Sequence, residues 1–203
     1  LSFSIKEHEG FYIPILFPKS DPTTSLDLNY VLNKLKSIFE NSKLNFTGQN
    51  IKYDSLILSR YDIYIANIIF DTMIAEYMLH PEKNSYKMDY LALDYLNYKM
   101  VSIEDLIGSG LNQKKMYEVP IQDISYYASE DADIAFQLTK ILKNKLDEEK
   151  LSSPFYDIEI PLIDVLKTIE KNGIFLDFPF LSNLSTNFGL KIDELSHKIY
   201  NLS

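Results

Sequence analysis

Apolar and polar positions alternate from the first residue, in Leu1-Ser2-Phe3-Ser4-Ile5. After the polar turn Lys6-Glu7-His8-Glu9-Gly10 comes Phe11–Phe17, the densest apolar run of the chain, which carries Pro14. A period of two marks a half-buried strand and a short apolar run bounded by turn residues suits a buried one, so two strands are expected here. Pro18–Thr24 reads as a loop. Ser25 reads as the cap of a helix on which Leu28, Val31, Leu32, Leu35, Ile38 and Phe39 follow helical spacing. Leu44–Thr47 reads as a short strand ending at Gly48, and Ile51–Ser59 as a helix. Ile65–Phe70 reads as a buried strand with a helix, Thr72–Leu79, directly after it.

Met88–Leu96 is expected to be helical, with Leu91, Leu93 and Leu96 inward. Between Lys99 and Pro120 the periodicity fails, and Gly108 and Gly110 flank a polar stretch read as a flexible loop. Pro120 opens a long helix to about Leu146, with Asp147-Glu148-Glu149-Lys150 as a charged stop and Ser152-Ser153-Pro154 as a linker. Phe155–Lys171 is amphipathic through Ile158, Leu162, Val165, Leu166 and Ile169, and it stops at Asn172-Gly173. Ile174–Leu176 reads as a strand, and Pro179–Leu202 as a helix interrupted at Gly189.

Strands alternate with helices at first, and the last third is nearly all helix. That order predicts a mixed α/β domain over residues 1–148 and a helical piece over 149–203. The chain opens in mid-strand, on Leu1 rather than Met, and is expected to be part of a longer polypeptide.

Composition removes several chemistries. The 203 residues contain no Cys, which excludes disulfide frameworks, thiol nucleophiles and thiolate zinc sites. His8, His80 and His197 share no ligand spacing. No P-loop, no G-x-G-x-x-G after a strand and no G-x-S-x-G elbow is present. No run reaches the ~18 apolar residues of a membrane span, and no signal peptide is visible. The net charge is −9 and Arg60 is the lone arginine, so a diffuse basic field for nucleic acid is absent. Carboxylates remain as candidates, and with them a divalent cation.

Two runs place carboxylates in a suggestive setting. Gln49-Asn50-Ile51-Lys52-Tyr53-Asp54 gathers amides, a cation, an aromatic and an acid. That mix can stack a base, touch phosphate and approach a metal. The plain alternative is a polar helix N-terminus with Asp54 favoured by the macrodipole, and on spacing alone it outweighs the first. Tyr127 and Asp131 stand four apart on the long helix, hence on one face. A phenol beside a carboxylate can orient a metal-held water. A half-buried tyrosine near a solvated acid explains the same spacing.

Taken in order, Gln49–Asp54, then Phe70-Asp71-Thr72-Met73, then Tyr127-Ala128-Ser129-Glu130-Asp131-Ala132-Asp133 resemble the 3′→5′ exonuclease domain of bacterial family A DNA polymerases. Ile158-Glu159-Ile160-Pro161-Leu162 and Ile169-Glu170-Lys171-Asn172-Gly173-Ile174 resemble the start of the polymerase domain in that family, at the base of its thumb. The resemblance spans nearly the whole chain.

It implies a ribonuclease H-like α/β fold, a mixed sheet flanked by helices, followed by an α-helical segment. It also implies two-metal hydrolysis with Mg²⁺ or Mn²⁺, in which Asp131 is a direct ligand, Tyr127 holds the attacking water and Asp54 supports the second metal. Gln49, Asn50, Lys52 and Tyr53 would line the path of a single-stranded 3′ end of DNA. Asp71 is expected to cap the next helix instead. The family's first motif, an Asp-x-Glu on the first strand, is missing, and Asp157-Ile158-Glu159 falls in a later helix. The two-metal site is therefore expected only in an intact parent.

Implied partners are the 3′ end of single-stranded DNA and the rest of a polymerase chain, with no membrane and no obligate oligomer. The implied location is the bacterial cytoplasm, at the nucleoid. Two other readings stay open: an inactive exonuclease-like scaffold, and a ribonuclease D-like RNA exonuclease.

Overall fold

A computed structural model describes residues 1–15, 25–110 and 113–202. The expected loop Pro18–Thr24 and the end of the second expected strand lie outside them. Strand β1 (Ser2–Lys6) pairs antiparallel with β2 (Glu9–Tyr12), and β3 (Phe46–Gly48) pairs parallel with β4 (Ile68–Asp71). The described strands thus form two two-stranded sheets rather than one continuous sheet.

The helices before the long one are α1 (Leu28–Phe39), α2 (Ile51–Ser59), α3 (Thr72–Leu79), α4 (Met88–Leu96) and the short α5 (Ile103–Ile107). Next come a 3₁₀ turn at Met116–Glu118 and the 28-residue α6 (Ile121–Glu148). Helical structure continues through α7 (Ser152–Pro154), a π turn (Phe155–Glu159) and α8 (Ile160–Asn172), and α9 spans Phe178–Tyr200.

Several local expectations are corrected. Asp27, not Ser25, caps α1, its side chain accepting from the Tyr30 amide at 2.8 Å. Leu93 faces solvent, since Leu91 and Ala92 take the inward positions of α4. The glycine-flanked stretch contains α5, capped by the Ser102 hydroxyl on the Asp105 amide, and the 3₁₀ turn. Ser152-Ser153-Pro154 is helical, because Pro tolerates the first turn of a helix. Ile174–Leu176 is not a strand, and Gly189 does not break α9.

Two apolar clusters form the interior of the first compact unit, Leu1–Thr168. In one, Leu138, Leu142 and Leu146 recur every four residues along α6 and pack with Phe70, Leu91 and Phe155. The rings of Phe70 and Phe155 stand 4.8 Å apart. In the other, Phe39 lies between Phe3 and Phe46, and Ile51, Leu58 and Ile163 complete the packing. Each such buried side chain contributes about 1.5–3 kcal/mol. Strands β3 and β4 each end close to the start of a helix, α2 and α3 respectively. The second unit, Ile169–Ser203, holds the end of α8 and α9, whose first turn is capped by Asp177 on the Phe180 amide at 3.0 Å.

Candidate functional site

Asp54 sits in the first turn of α2, directly after β3. The chain enters this helix through Asn50, which adopts a left-handed backbone (φ 56°, ψ 46°) and makes no side-chain cap. The missing cap comes from the neighbouring strand. Asp71, paired with Gly48 at the end of β4, accepts from the amides of Asn50 at 3.2 Å and Ile51 at 2.8 Å. The same carboxylate accepts from Met73 at 2.9 Å and Ile74 at 3.2 Å, capping α3 as the sequence led us to expect. Its cap on α2 was not foreseen.

Thr72 reinforces the junction, its hydroxyl donating to the Gly48 carbonyl at 3.2 Å and to the Gln49 amide oxygen. The Gln49 amide nitrogen donates to the Tyr86 carbonyl at 2.7 Å, so both ends of this side chain are engaged within the protein. Lys52 is half-buried and Tyr53 is exposed.

Asp54 itself meets solvent but stands among enough protein for desolvation to matter. Desolvation, then the nearby Asp71 charge, raises its pKa to about 6, against a backbone hydrogen bond that lowers it. Burial likewise raises Asp71, opposed by its four amide donors.

The second group lies on α6. Tyr127 and Asp131 are half-buried one turn apart on one face of α6, near enough for each to shift the other's pKa. Burial lifts Asp131 to about 6, the nearby Tyr127 hydroxyl opposes the rise and the Glu130 charge adds to it. Burial, then the Asp131 charge, pushes Tyr127 up to about 12, so the phenol is a neutral donor at ordinary pH.

The neighbouring acids are engaged elsewhere. Glu130 accepts from the Tyr98 hydroxyl at 2.7 Å and the Val101 amide at 2.9 Å. Asp133 accepts from the His8 amide at 2.7 Å and the Gln137 side chain at 2.7 Å.

The two groups are not joined by a direct bond. The nearest tie between their elements is Thr47 Oγ1 to Thr139 Oγ1, 2.6 Å, two turns along α6 from Asp131. Among the described residues no three His, Asp or Glu side chains gather closely enough to hold a metal. In kind the donors suit a hard divalent cation: carboxylate oxygens, raised in pKa, with no lysine or arginine contributing to either shift. In number they fall short.

Acids elsewhere do not make up the count. Asp157 accepts from the Ser153 hydroxyl at 2.8 Å and Asp147 from that of Ser152, so both runs with Asp-x-Glu spacing serve the turn after α6. A cleft of about 440 Å³ opens on the adjacent strip of α6, lined by His8, Tyr98, Tyr126, Glu130 and Gln137, and neither Asp54 nor Asp131 lines it. No described helix is long and apolar enough to cross a membrane.

Known proteins share this arrangement of elements. A family model described as 3′-5′ exonuclease matches residues 1–147. DNA polymerase I of Pseudomonas aeruginosa is 34% identical over 206 residues, covering 100% of this chain and 23% of that protein. DNA polymerase I of Borreliella burgdorferi is 34% identical over 199 residues, covering 98% of this chain and 21% of its own length. The chain thus spans less than a quarter of these relatives.

Among solved structures, the POL domain of Pol1 from M. smegmatis, in complex with DNA primer-template and dNTP, superposes with a TM-score of 0.69. It is 19% identical and covers 89% of this chain and 28% of that one. Brucella melitensis NrnC superposes at 0.52, with 14% identity over 74% of this chain and 64% of that one. The fold is accordingly ribonuclease H-like, of the exonuclease type.

Proposed function

Since the chain belongs to the 3′-5′ exonuclease family, we propose that it carries the proofreading half of a DNA polymerase I-like enzyme. In this reading it shortens single-stranded DNA from the 3′ end, and the longer polypeptide extends primers in replication and repair. The observation that carries the reading is the placement of Tyr127 beside Asp131 on one face of α6, with the neighbouring acids committed elsewhere.

Asp131 and Asp54 are the residues that would hold Mg²⁺ or Mn²⁺. A bound divalent cation supplies a Lewis acid and a more acidic water. The two-metal form needs more carboxylates than the described residues bring together, and the reading takes these from other parts of a longer chain.

Tyr127 orients the attacking water by its hydroxyl, which stays protonated at working pH. Tyr53 offers an exposed ring for base stacking, and Asn50 and Lys52 polar contacts to the strand. Gln49 reaches the strand only by exchanging its bonds to Tyr86 and Thr72. The partners are the 3′ end of DNA and the remainder of the polymerase chain, without an obligate oligomer, in the bacterial cytoplasm at the nucleoid.

The fold likeness to NrnC supports a second reading, a ribonuclease D-like RNA exonuclease. One assay separates them: 5′-labelled single-stranded DNA and RNA of one sequence, with Mg²⁺ or Mn²⁺. Stepwise loss of DNA from the 3′ end is expected of the longer polypeptide, abolished by Asp131→Ala and slowed about tenfold by Tyr127→Phe, which removes the hydroxyl beside the charged centre. Unchanged cleavage in Asp131→Ala overturns the site. Preference for RNA transfers the assignment to the second reading. Cleavage of neither strand leaves the inactive scaffold.

A further inference from the structure

We infer that Asp71 is the positioning residue of this site: one buried carboxylate binds the amino ends of both α2 and α3 and so fixes the turn that presents Asp54. The inference rests on the proposed function for what Asp54 does, but its geometry stands apart from it.

An ordinary cap serves the helix that follows it, two or three residues on. Asp71 does this with Oδ1, which accepts from Met73 and Ile74. The carboxylate also reaches twenty-one and twenty residues back in sequence, to Asn50 and Ile51. Oδ2 is given wholly to Ile51, at 2.8 Å, the shortest of the four bonds.

Parallel pairing of β3 with β4 makes this possible, since it sets Gly48 beside Asp71 and starts both helices from one place. Asn50 needs the help. Its left-handed backbone is a conformation most residues avoid, and its own side chain caps nothing. Asp71 is 1% exposed, so its bonds are shielded from competing water. Thr72, the next residue, holds Gly48 and Gln49 from the same strand end. Hence the loop that delivers Asp54 is clamped over four consecutive residues, Gly48 to Ile51, by two consecutive residues of another strand end.

Oδ1 serves Asn50, Met73 and Ile74 while Oδ2 serves Ile51 alone, and that difference supplies the test. Asp71→Asn and Asp71→Ser keep an oxygen for Met73 and Ile74, because Asn and Ser are good caps. Neither can serve Ile51 as well. Amide hydrogen exchange on the whole 203-residue chain should show Ile51 exchanging at least tenfold faster in both variants, with Met73 and Ile74 within threefold of the parent. In the cleavage assay, kcat should fall at least tenfold with KM within twofold, since α2 is displaced relative to the reacting centre while the strand still binds.

Ile163→Val, which trims the interior beside α2, is the control for stability alone. A variant that merely loses stability speeds exchange everywhere. Uniform acceleration at Ile51, Met73 and Ile74, or an equal kcat loss in Ile163→Val at matched melting temperature, overturns the inference. Selective exchange at Ile51 with unchanged kcat overturns it too, by showing that Asp54 is placed without Asp71. If the unsubstituted longer polypeptide cleaves nothing, the proposed function has failed. Exchange then decides alone whether Asp71 ties α2.

Discussion

The two halves of the candidate site are built by opposite means. Tyr127 and Asp131 meet because a helix brings every fourth residue to one face, so α6 supplies their geometry from local structure alone. Asp54 depends on distant partners: β4 must pair with β3, Asp71 must reach Ile51, and Thr72 must hold Gly48 and Gln49. Local geometry survives damage to its surroundings, whereas geometry held by distant partners fails with them. Substitutions should therefore sort by which half they reach.

The largest stability effect is expected on the helical half, where β2 packs against it. Gly10 of β2 lies so close to α6 that an added Cβ would stand 2.4 Å from the carbonyl oxygen of Ser129, between Tyr127 and Asp131. Backbone cannot yield there as a flexible side chain would. Gly10→Ala should cost about 2–3 kcal/mol, at the upper end for overpacking, read as a fall in denaturant midpoint. Because α6 holds its own geometry, the variant's remaining folded fraction should keep the Tyr127–Asp131 pair. Loss of cleavage out of proportion to the unfolded fraction would show that the helical half also depends on the hairpin.

The other half can be disturbed from further away. Glu76 on α3 is fully buried, and its carboxylate accepts from Lys83 at 2.7 Å and the Tyr95 hydroxyl at 2.7 Å, while Lys83 also reaches Asp94 at 2.9 Å. These bonds pin the segment that carries Tyr86, whose carbonyl receives Gln49. Lys83→Met leaves a buried charge with a single donor. A wholly buried pair costs ~3–5 kcal/mol to break. Lys83 keeps about a third of its side chain in solvent, so about 2 kcal/mol is expected.

The sign with pH follows from the lysine. Its pKa is raised above 10.5, first by the bond to Glu76, then by that to Asp94. Stability from this group is complete below the unfolded value and fades as pH climbs through the raised one. Parent and Lys83→Met should therefore converge in alkaline urea melts. A gap that stays constant as pH rises past the ordinary lysine range would assign the loss to packing instead.

The same contrast explains what was legible in the sequence. Helices α2, α3 and α4 fall where apolar spacing placed them, and α6 agrees to within two residues. The Tyr127–Asp131 pair needed only a count of four. By contrast Asp71 reads locally as a cap for α3, and nothing within a dozen residues announces its hold on Ile51. Strand pairing creates that contact, and pairing is not written in period. Ile174–Leu176 failed as a strand for the complementary reason. Its residues are apolar, but no described strand pairs with them, and Ile174 and Phe175 stay 85% and 91% exposed. Gly189 suggested a break, yet a helix tolerates one glycine at about 1 kcal/mol.

The smallest effect is the one that ties both halves to a cation. In EDTA, Asp54 and Asp131 hold raised pKa values, about 6 each, against an ordinary value of 3.8. An acid whose folded pKa lies above its unfolded one binds protons more tightly when folded, so its share of stability is lost as pH rises from about 4 to about 6. At pH 7.5 each ionised carboxylate thus opposes folding. A tenfold difference in proton affinity between folded and unfolded chains is worth about 1.4 kcal/mol when the group is fully shielded. Asp54 meets solvent and Asp131 is only half-buried, so about 1 kcal/mol in all is expected for each.

Asp54→Asn and Asp131→Asn should accordingly raise the melting temperature in EDTA at pH 7.5 and leave it unchanged at pH 4. Adding Mg²⁺ should reverse the order, stabilising the parent and not the variants. A site shaped for a cation sacrifices stability without it, as functional sites commonly do. If the asparagine variants melt lower in EDTA at pH 7.5, these carboxylates are structural, and neither half of the comparison concerns a metal.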